Sequence, residues 1–517
     1  MKPISVFSIF VLFLSFNLFS QTPGSLDTDF GIDGVRTIHY PGQNARAYDI
    51  AFQSDGKMVL CGLKGASGSG WNVYSARLDH DGYVTSYGNM PNYFFHDMGD
   101  VSEGRCIAVL PDDRILIAGE RNYEHVFLMR LTQDGILDGS MGGGNGYFIY
   151  LELNNVEDMI TLTEGSDTYV FFAGFYQDSP DHFPVIIKTD QDGYNVTSFG
   201  DNGVFRLESV NAKIYCIDID LETGMIYIAG ESGDEGFILR CNELGQLDPA
   251  FGGSGYITLP PPEATDFKIN KIIVDQDNHY VTAFGYAESN AAWNDYDDIY
   301  ACRVNTNGTL NTNFGVNGWS FLHMEREDKI YDAVQQSDGK YYFGGSSDFY
   351  SGPPDFFNGR TSHYGFFDPS YGSSGMVHTD LGGDEYCSSL LLDEEEGRLI
   401  ACGIGTDSDE MVHVACYHTG FFVHSEENVK DISVNIFPNP ILSNNINLSI
   451  NLSRAKPINY SLCSMDGKEI LSNYLGNLTQ GNHEISISLP ANAQNGIYLL
   501  KVNSNEFVIH KKLVFCR

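Results

Sequence analysis

The phrase Leu26-Asp-Thr-Asp-Phe-Gly31 returns along most of this chain, and a recurring unit dictates architecture before any single residue does. Its copies read Val196-Thr-Ser-Phe-Gly200, Leu247-Asp-Pro-Ala-Phe-Gly252, Leu310-Asn-Thr-Asn-Phe-Gly315 and Asp368-Pro-Ser-Tyr-Gly372. Weaker copies are Val84-Thr-Ser-Tyr-Gly88 and Leu137-Asp-Gly-Ser-Met-Gly142. Each unit holds four short apolar segments. One follows the phrase, as at residues 35–39, 147–151 and 256–259. The next alternates toward a turn such as Ser54-Asp-Gly-Lys57 or Ser337-Asp-Gly-Lys340, where Gly accepts the positive φ of a hairpin. The third is a nearly continuous apolar run that ends in Gly, the pattern of a strand covered on both faces. The fourth, at 73–78, 126–131, 185–189, 236–241, 299–304 and 411–417, usually runs into another Asp-Gly or Asn-Gly turn.

The strand-ending glycines count the units: Gly62, Gly119, Gly174, Gly230, Gly285, Gly345 and Gly403. Four short antiparallel strands cannot bury both faces of their own sheet, and standing such sheets radially around an axis buries them against neighbours. The expected fold is therefore all-β, a seven-bladed β-propeller of four-stranded antiparallel blades, with an open β-solenoid as the rival. The ring is expected to close near residues 35–40 and 411–423. If each first segment completes the preceding sheet, residues 35–39 fasten the last blade.

A net charge of −38 over 517 residues excludes nucleic acid as a partner, because phosphates would be repelled. Residues 1–20 read as a signal peptide: Lys2 precedes an apolar run, and small Ser20 precedes Gln21. No second apolar run follows, so no transmembrane segment is expected. The ten cysteines show no metal spacing. Cys61 and Cys402 stand where other units have Ala118, Ala173 and Ala229, so free buried thiols are expected.

The repeat resembles the delta-60 repeat family of secreted and surface proteins over about residues 26–422. The resemblance rests on the opening phrase, the turn Ser54-Asp-Gly-Lys57, the strand end at Ala118 and Gly119, and the exit Arg77-Leu-Asp-His-Asp-Gly82. Repeat six departs from the pattern, lacking an exit turn before Asp368. The resemblance implies a propeller and names no activity.

After residue 423 the repeat stops. A linker, 424–432, leads to alternating strands with an Asp466-Gly467 turn, the pattern of a small C-terminal β-sandwich. Residues 433–517 resemble the type A C-terminal sorting domain of the bacterial type IX secretion system. The matching residues are Phe437-Pro-Asn-Pro440, Met465-Asp-Gly-Lys468, Gly496-Ile-Tyr498 and the basic-apolar end at 511–515. The division is thus 1–20 signal, 21–423 propeller, 424–432 linker and 433–517 sorting domain. The resemblance implies the type IX machinery as a partner, passage through the outer membrane, and release or attachment at the cell surface.

No nucleophile elbow, P-loop or metal motif is present, so no catalytic residue and no firm metal site is assigned. Short acidic phrases such as Asp79-His-Asp-Gly82 and Asp190-Gln-Asp-Gly193 read as turns. A calcium candidate lies in a longer loop at Asp295, Asp297 and Asp298. Arg77, Arg130, Lys188, Arg240 and Arg303 recur in the fourth segment, either as a ring that grips an anion or as a repeated ion pair with a turn Asp. His39, His96, His323 and His378 converge on a metal if their segment is innermost and are scattered if it is outermost. Ligand binding is sought in the third-to-fourth segment loops. The candidates there are Trp71, Trp293, Tyr296, Phe349, Tyr350, Phe356, Phe357 and Arg360, with the alternative that the aromatics fold back over the blade edge.

These readings lead to a surface binding or adhesion protein whose ligand is a glycan or another surface protein. The alternative is an extracellular polysaccharide hydrolase or lyase with its site in the propeller funnel. Deleting residues 433–517 is expected to trap the protein in the periplasm; surface display of that truncation, read by fractionation, would overturn the sorting assignment.

Overall fold

The computed structural model describes residues 22–66, 70–99, 101–289, 296–322, 327–348 and 352–420, and in the tail 432–437, 445–452, 454–464, 469–489, 496–503 and 508–515. The expected signal segment lies outside them. Within the described part of the repeat region stand seven four-stranded antiparallel sheets. Their strands Asn44–Phe52, Ser102–Val109, Asn155–Glu164, Lys213–Ile219, Ala264–Val274, Asp328–Gln335 and Asp384–Asp393 touch one another in a closed cycle and are the inner strands of the blades. The short segment after each Phe-Gly phrase is the outer strand.

Ring closure is as the alternation of segments suggests. Val35–Ile38 pairs with the third strand of blade seven, Val35 opposite Ala415 and Ile38 opposite Val412. The N-terminal stretch reinforces the join: the Asp27 amide donates to Cys416 O at 2.8 Å, and Asp27 Oδ2 meets Arg398 Nε at 2.6 Å.

Each inner strand carries a β-bulge at one equivalent place, with the extra residue at Tyr48, Arg105, Glu157, Tyr215, Asn270, Tyr331 or Ser388. A bulge sets two residues against one and re-aims the spare side chain. It also pushes a carbonyl of the inner strand toward the second strand. There every blade has the glycine of its apolar run, which stands inside the second strand and not at its end, and a Cβ on any of the seven would lie 1.7–2.0 Å from a carbonyl oxygen. Glycine is the one residue that lets the ladder run past the bulge.

Blades are joined by the Phe-Gly phrase. Its aromatic or Met side chain is buried at Phe30, Tyr87, Met141, Phe199, Phe251, Phe314 and Tyr371. The Gly31 amide donates to Asp81 O of the next blade at 2.7 Å, and Gly88, Gly200, Gly252 and Gly315 repeat this onto Asp134, Leu244, Asn307 and Tyr364. The phenyl ring packs on the turn it grips, so that a Cβ at Gly82 would lie 2.7 Å from the Phe30 ring.

Four of the five recurring cations serve the same seam. Arg130 Nε pairs with Asp138 Oδ2 at 2.7 Å, and its Nη1 donates to Gln191 O of the next blade at 2.7 Å. Arg240 meets Asp248 at 2.5 Å and Thr306 O at 2.5 Å, and Arg303 reaches His363 O at 2.7 Å. The anion-gripping ring is displaced: Arg303 meets hydroxyls and a backbone carbonyl, Lys188 lies over the Tyr169 and Phe171 rings, and Arg77, Arg130 and Arg240 form the repeated ion pair with a turn Asp. Arg360 is a further member, at 3.0 Å from Asp368 and 2.6 Å from Thr419 O. Blade six is therefore regular: its third strand is Asp355–Thr361 and its exit turn is 362–366.

At or shortly after the bulges, carboxylates enclosed between the blades clip neighbouring inner strands. Asp49 Oδ2 accepts the Ile107 amide at 2.8 Å, Asp158 the Ile217 amide at 3.1 Å, Asp218 the Val274 amide at 2.7 Å and Asp332 the Leu390 amide at 2.8 Å. Lys271 Nζ lies 3.4 Å from Asp158 and 3.5 Å from Asp332, and Ser389 Oγ donates to Asp49 at 2.9 Å. The eight described cysteines outside the tail are free and buried.

The tail forms a three-stranded and a four-stranded antiparallel sheet. Ile446, Leu448 and Ile450 of the first share one core with Ile458, Leu462, Leu500 and Val502 of the second, the packing of a β-sandwich.

Gly230→Ala is expected to lower stability by about 2–4 kcal/mol, because its Cβ would meet Lys213 O, a backbone atom, at 1.9 Å. A melting temperature equal to that of the parent would contradict the bulge argument. The carboxylate clips set a pH dependence. Burial pushes Asp49 up to about 7 and Asp218 to about 6, and raises Asp332. A carboxyl with a raised folded-state value contributes stability while protonated and loses it as pH rises toward that value. Burial would raise Asp368 too, but the Ser370 hydrogen bonds and the Arg360 charge outweigh it and hold Asp368 at about 2. Its contribution is lost as pH falls below about 4. Thermal melts should therefore peak near pH 4 and decline from there to about pH 7; a profile rising steadily to pH 8 would refute this account.

Candidate functional site

The seven bulged residues line one axial funnel of about 550 Å³. Tyr48, Arg105, Glu157, Tyr215, Asn270, Tyr331 and Ser388 form its throat, one from each blade. Lys213, Glu231, Lys268, Tyr286 and Tyr386 widen it above. Lys213 starts its inner strand and faces Glu231 near the end of the second, so the funnel opens on the face where second-to-third strand loops emerge. The knot of Lys271, Asp158, Asp332, Ser389 and Asp49 lies one residue further along the inner strands and closes the floor.

The wall charges are arranged in pairs. Glu231 Oε1 accepts from Tyr215 Oη at 2.8 Å and from Lys213 Nζ at 3.0 Å. Arg105 lies over the Tyr48 ring at 5.0 Å, with Nε 3.3 Å from Glu103 and 3.7 Å from Glu120. Lys268 and Lys329 stand 5.7 and 5.6 Å from the centre of the Tyr286 ring. Burial pushes Tyr48 and Tyr286 up to about 12 and Glu120 to about 7, so the phenols stay protonated donors at neutral pH. Glu157 is also pushed to about 7, by burial first and against the pull of Arg105. A half-protonated carboxyl in a tyrosine-lined funnel can give or take a proton. A second hollow of about 650 Å³ lies at the outer edge by the blade-three phrase. It holds one ring, the buried Phe205, against five tyrosines in the funnel.

The loop candidates divide. Trp71 is half-buried, with Arg46 5.8 Å from its ring centre, and Tyr296 is exposed; both precede third strands on the funnel face. Phe356 and Phe357 are fully buried and Arg360 nearly so, all within the third strand of blade six. This corrects their placement in a long loop. Phe-Phe-Asn-Gly-Arg-Thr is the strand that other units write as Val-Tyr-Ser-Ala-Arg-Leu, and burial removes all three from solvent. Trp293, Phe349, Tyr350 and Asp295 lie outside the described residues. Asp297 is paired with Lys329 at 3.0 Å, and Asp298 is buried in the same strand. The acidic phrases are turns, with Asp79 and Asp190 each accepting the amide four residues on. His96 and His378 lie on outer strands of different blades, and His39 follows one and meets Asp409 at 3.2 Å; His323 lies outside the described residues. The innermost arrangement that would gather them is not the one found.

The funnel residues escaped sequence reading. The signal was the pair of a large or charged residue with Asp before an apolar one, in Tyr48-Asp49-Ile50, Glu157-Asp158-Met159 and Tyr331-Asp332-Ala333.

Residues 110–140 match the profile of a β-propeller domain of unknown function, DUF5122, and residues 435–515 match the secretion system C-terminal sorting domain. No curated protein matches the chain. Among solved structures, the acylaminoacyl peptidase of Pyrococcus horikoshii is similar at 12% identity and TM-score 0.38, over 80% of this chain and 59% of the peptidase. This chain thus spans about three-fifths of that protein's length. The β-propeller domain of the trilobed protease from Pyrococcus furiosus aligns at 10% identity and TM-score 0.38, over 72% of this chain and 96% of that domain. The Dos1 propeller aligns at 10% identity and TM-score 0.40, over 74% of this chain and 94% of that one. Among the described residues no helix is long and apolar enough to cross a membrane. The chain is a β-propeller protein with a type IX secretion-system C-terminal sorting domain, exported to the cell surface or the medium.

Proposed function

We propose that this protein is a non-catalytic binding module that holds a glycan in the axial funnel while the sorting domain delivers it to the cell exterior. The observation that carries the reading is the convergence of seven bulges on one cavity with five tyrosines and several cations in its wall. Tyrosine rings cover the apolar faces of sugars, and their hydroxyls and the paired ions meet sugar hydroxyls or carboxylates. Trp71 and Tyr296 extend the aromatic surface on the same face. Cations held in the wall of a chain of net charge −38 favour an acidic sugar over a neutral one.

A second reading, a polysaccharide hydrolase or lyase, is favoured by Glu157 alone. Its carboxyl stands in the throat near neutrality, whereas Glu231 is engaged by Lys213 and Tyr215. Glycosidases use two carboxyls facing across a pocket, and the paired state of Glu231 argues for binding.

A glycan array probed with the secreted chain separates the readings. Retention of acidic oligosaccharides, reduced at least about tenfold by a Tyr286→Ala and Tyr331→Ala double substitution, is expected. No retention, or retention indifferent to both substitutions, would refute the binding site. Turnover of the retained sugar that Glu157→Gln abolishes while binding persists would establish the second reading instead.

A further inference from the structure

Asp355, Asp380 and Glu385 place one carboxylate oxygen each within 4.8 Å of the others, at the seam between blades six and seven. Asp355 opens the third strand of blade six, opposite Ser347. Asp380 follows the outer strand of that blade, and its Oδ1 accepts the Gly382 amide at 3.0 Å. Glu385 lies near the start of the inner strand of blade seven, and its amide donates to Pro354 O at 2.7 Å. Three chain segments from two blades thus converge.

Glu385 is 1% exposed, and its Oε2 is buried with no hydrogen-bond partner. A buried carboxylate oxygen without a donor costs free energy unless a proton or a cation meets it. With their oxygens this close, three carboxylates repel one another, and a divalent ion would relieve all three at once.

We infer that Asp355, Asp380 and Glu385 form a calcium site that ties the blade-six loop to the first strand of blade seven. The donor set is all oxygen, as a hard cation requires. The segments come from loops and strand ends, which suits the adaptable coordination of Ca²⁺ better than the strict octahedron of Mg²⁺. Tyr386, next in sequence to Glu385, stands in the funnel wall, so the ion would brace that wall. The inference is independent of the proposed ligand and concerns different loop residues from Asp295, Asp297 and Asp298.

The test is titration of the EDTA-stripped full chain with CaCl₂ by calorimetry, with thermal melts alongside. One equivalent is expected to bind, raising the melting temperature by several degrees, with MgCl₂ much weaker. Glu385→Gln keeps the shape of the side chain, removes its charge, and should weaken calcium binding at least tenfold. Asp380→Asn, at an exposed position, gives the same test with little risk to folding and should do likewise. Loss of binding in both variants while their far-ultraviolet circular dichroism stays that of the parent supports the site. Parent protein that takes up no calcium, or variants that bind it as the parent does, would overturn it.

Discussion

A single steric exchange organises this propeller: the inner strand bulges, and the strand beside it must present a glycine to the displaced carbonyl. Seven glycines sit within 1.7–2.0 Å, measured from a hypothetical Cβ, of seven carbonyl oxygens. The bulge takes one residue per blade out of the ladder and turns it toward the axis. Funnel and fold are consequences of the same local geometry, because without the glycine the bulge could not form and without the bulge the axis would be lined by ordinary alternating side chains.

Around that core the ring is held by seams rather than by one continuous interior. Every phrase buries an aromatic or Met side chain, five of the seven donate a glycine amide to a turn of the neighbouring blade, and five arginines reach a carbonyl of the neighbouring blade. Buried aspartates make a second set of joins at the inner edge. The two sets respond oppositely to pH, since the outer pairs need ionised carboxylates and the inner ones are strained by ionisation.

The architecture was legible because the repeat writes each structural need several times over. Gly62 through Gly403 counted the blades, and the fourth segment at 411–417 left a place for residues 35–38, which they fill. The site was less legible. Phe356, Phe357 and Arg360 were read as loop residues because the turn that follows them, Ser362-His-Tyr-Gly365, lacks the usual Asp-Gly or Asn-Gly pair. The funnel was hidden for a different reason. A bulge residue does not obey the two-residue period of a strand, and the seven positions carry no single residue type: Tyr48, Tyr215 and Tyr331 alternate with Arg105, Glu157, Asn270 and Ser388. Their common mark was the glycine opposite, which reads at first as a strand end.

That variety has a structural cause. The throat of the funnel is a circle of seven positions whose backbone is set by glycines on a different strand. Side chains at those positions can be exchanged one at a time, with the scaffold asking little of their identity. In a ring built this way the wall of the cavity can change its chemistry while the frame of bulge and glycine beneath it stays as it is.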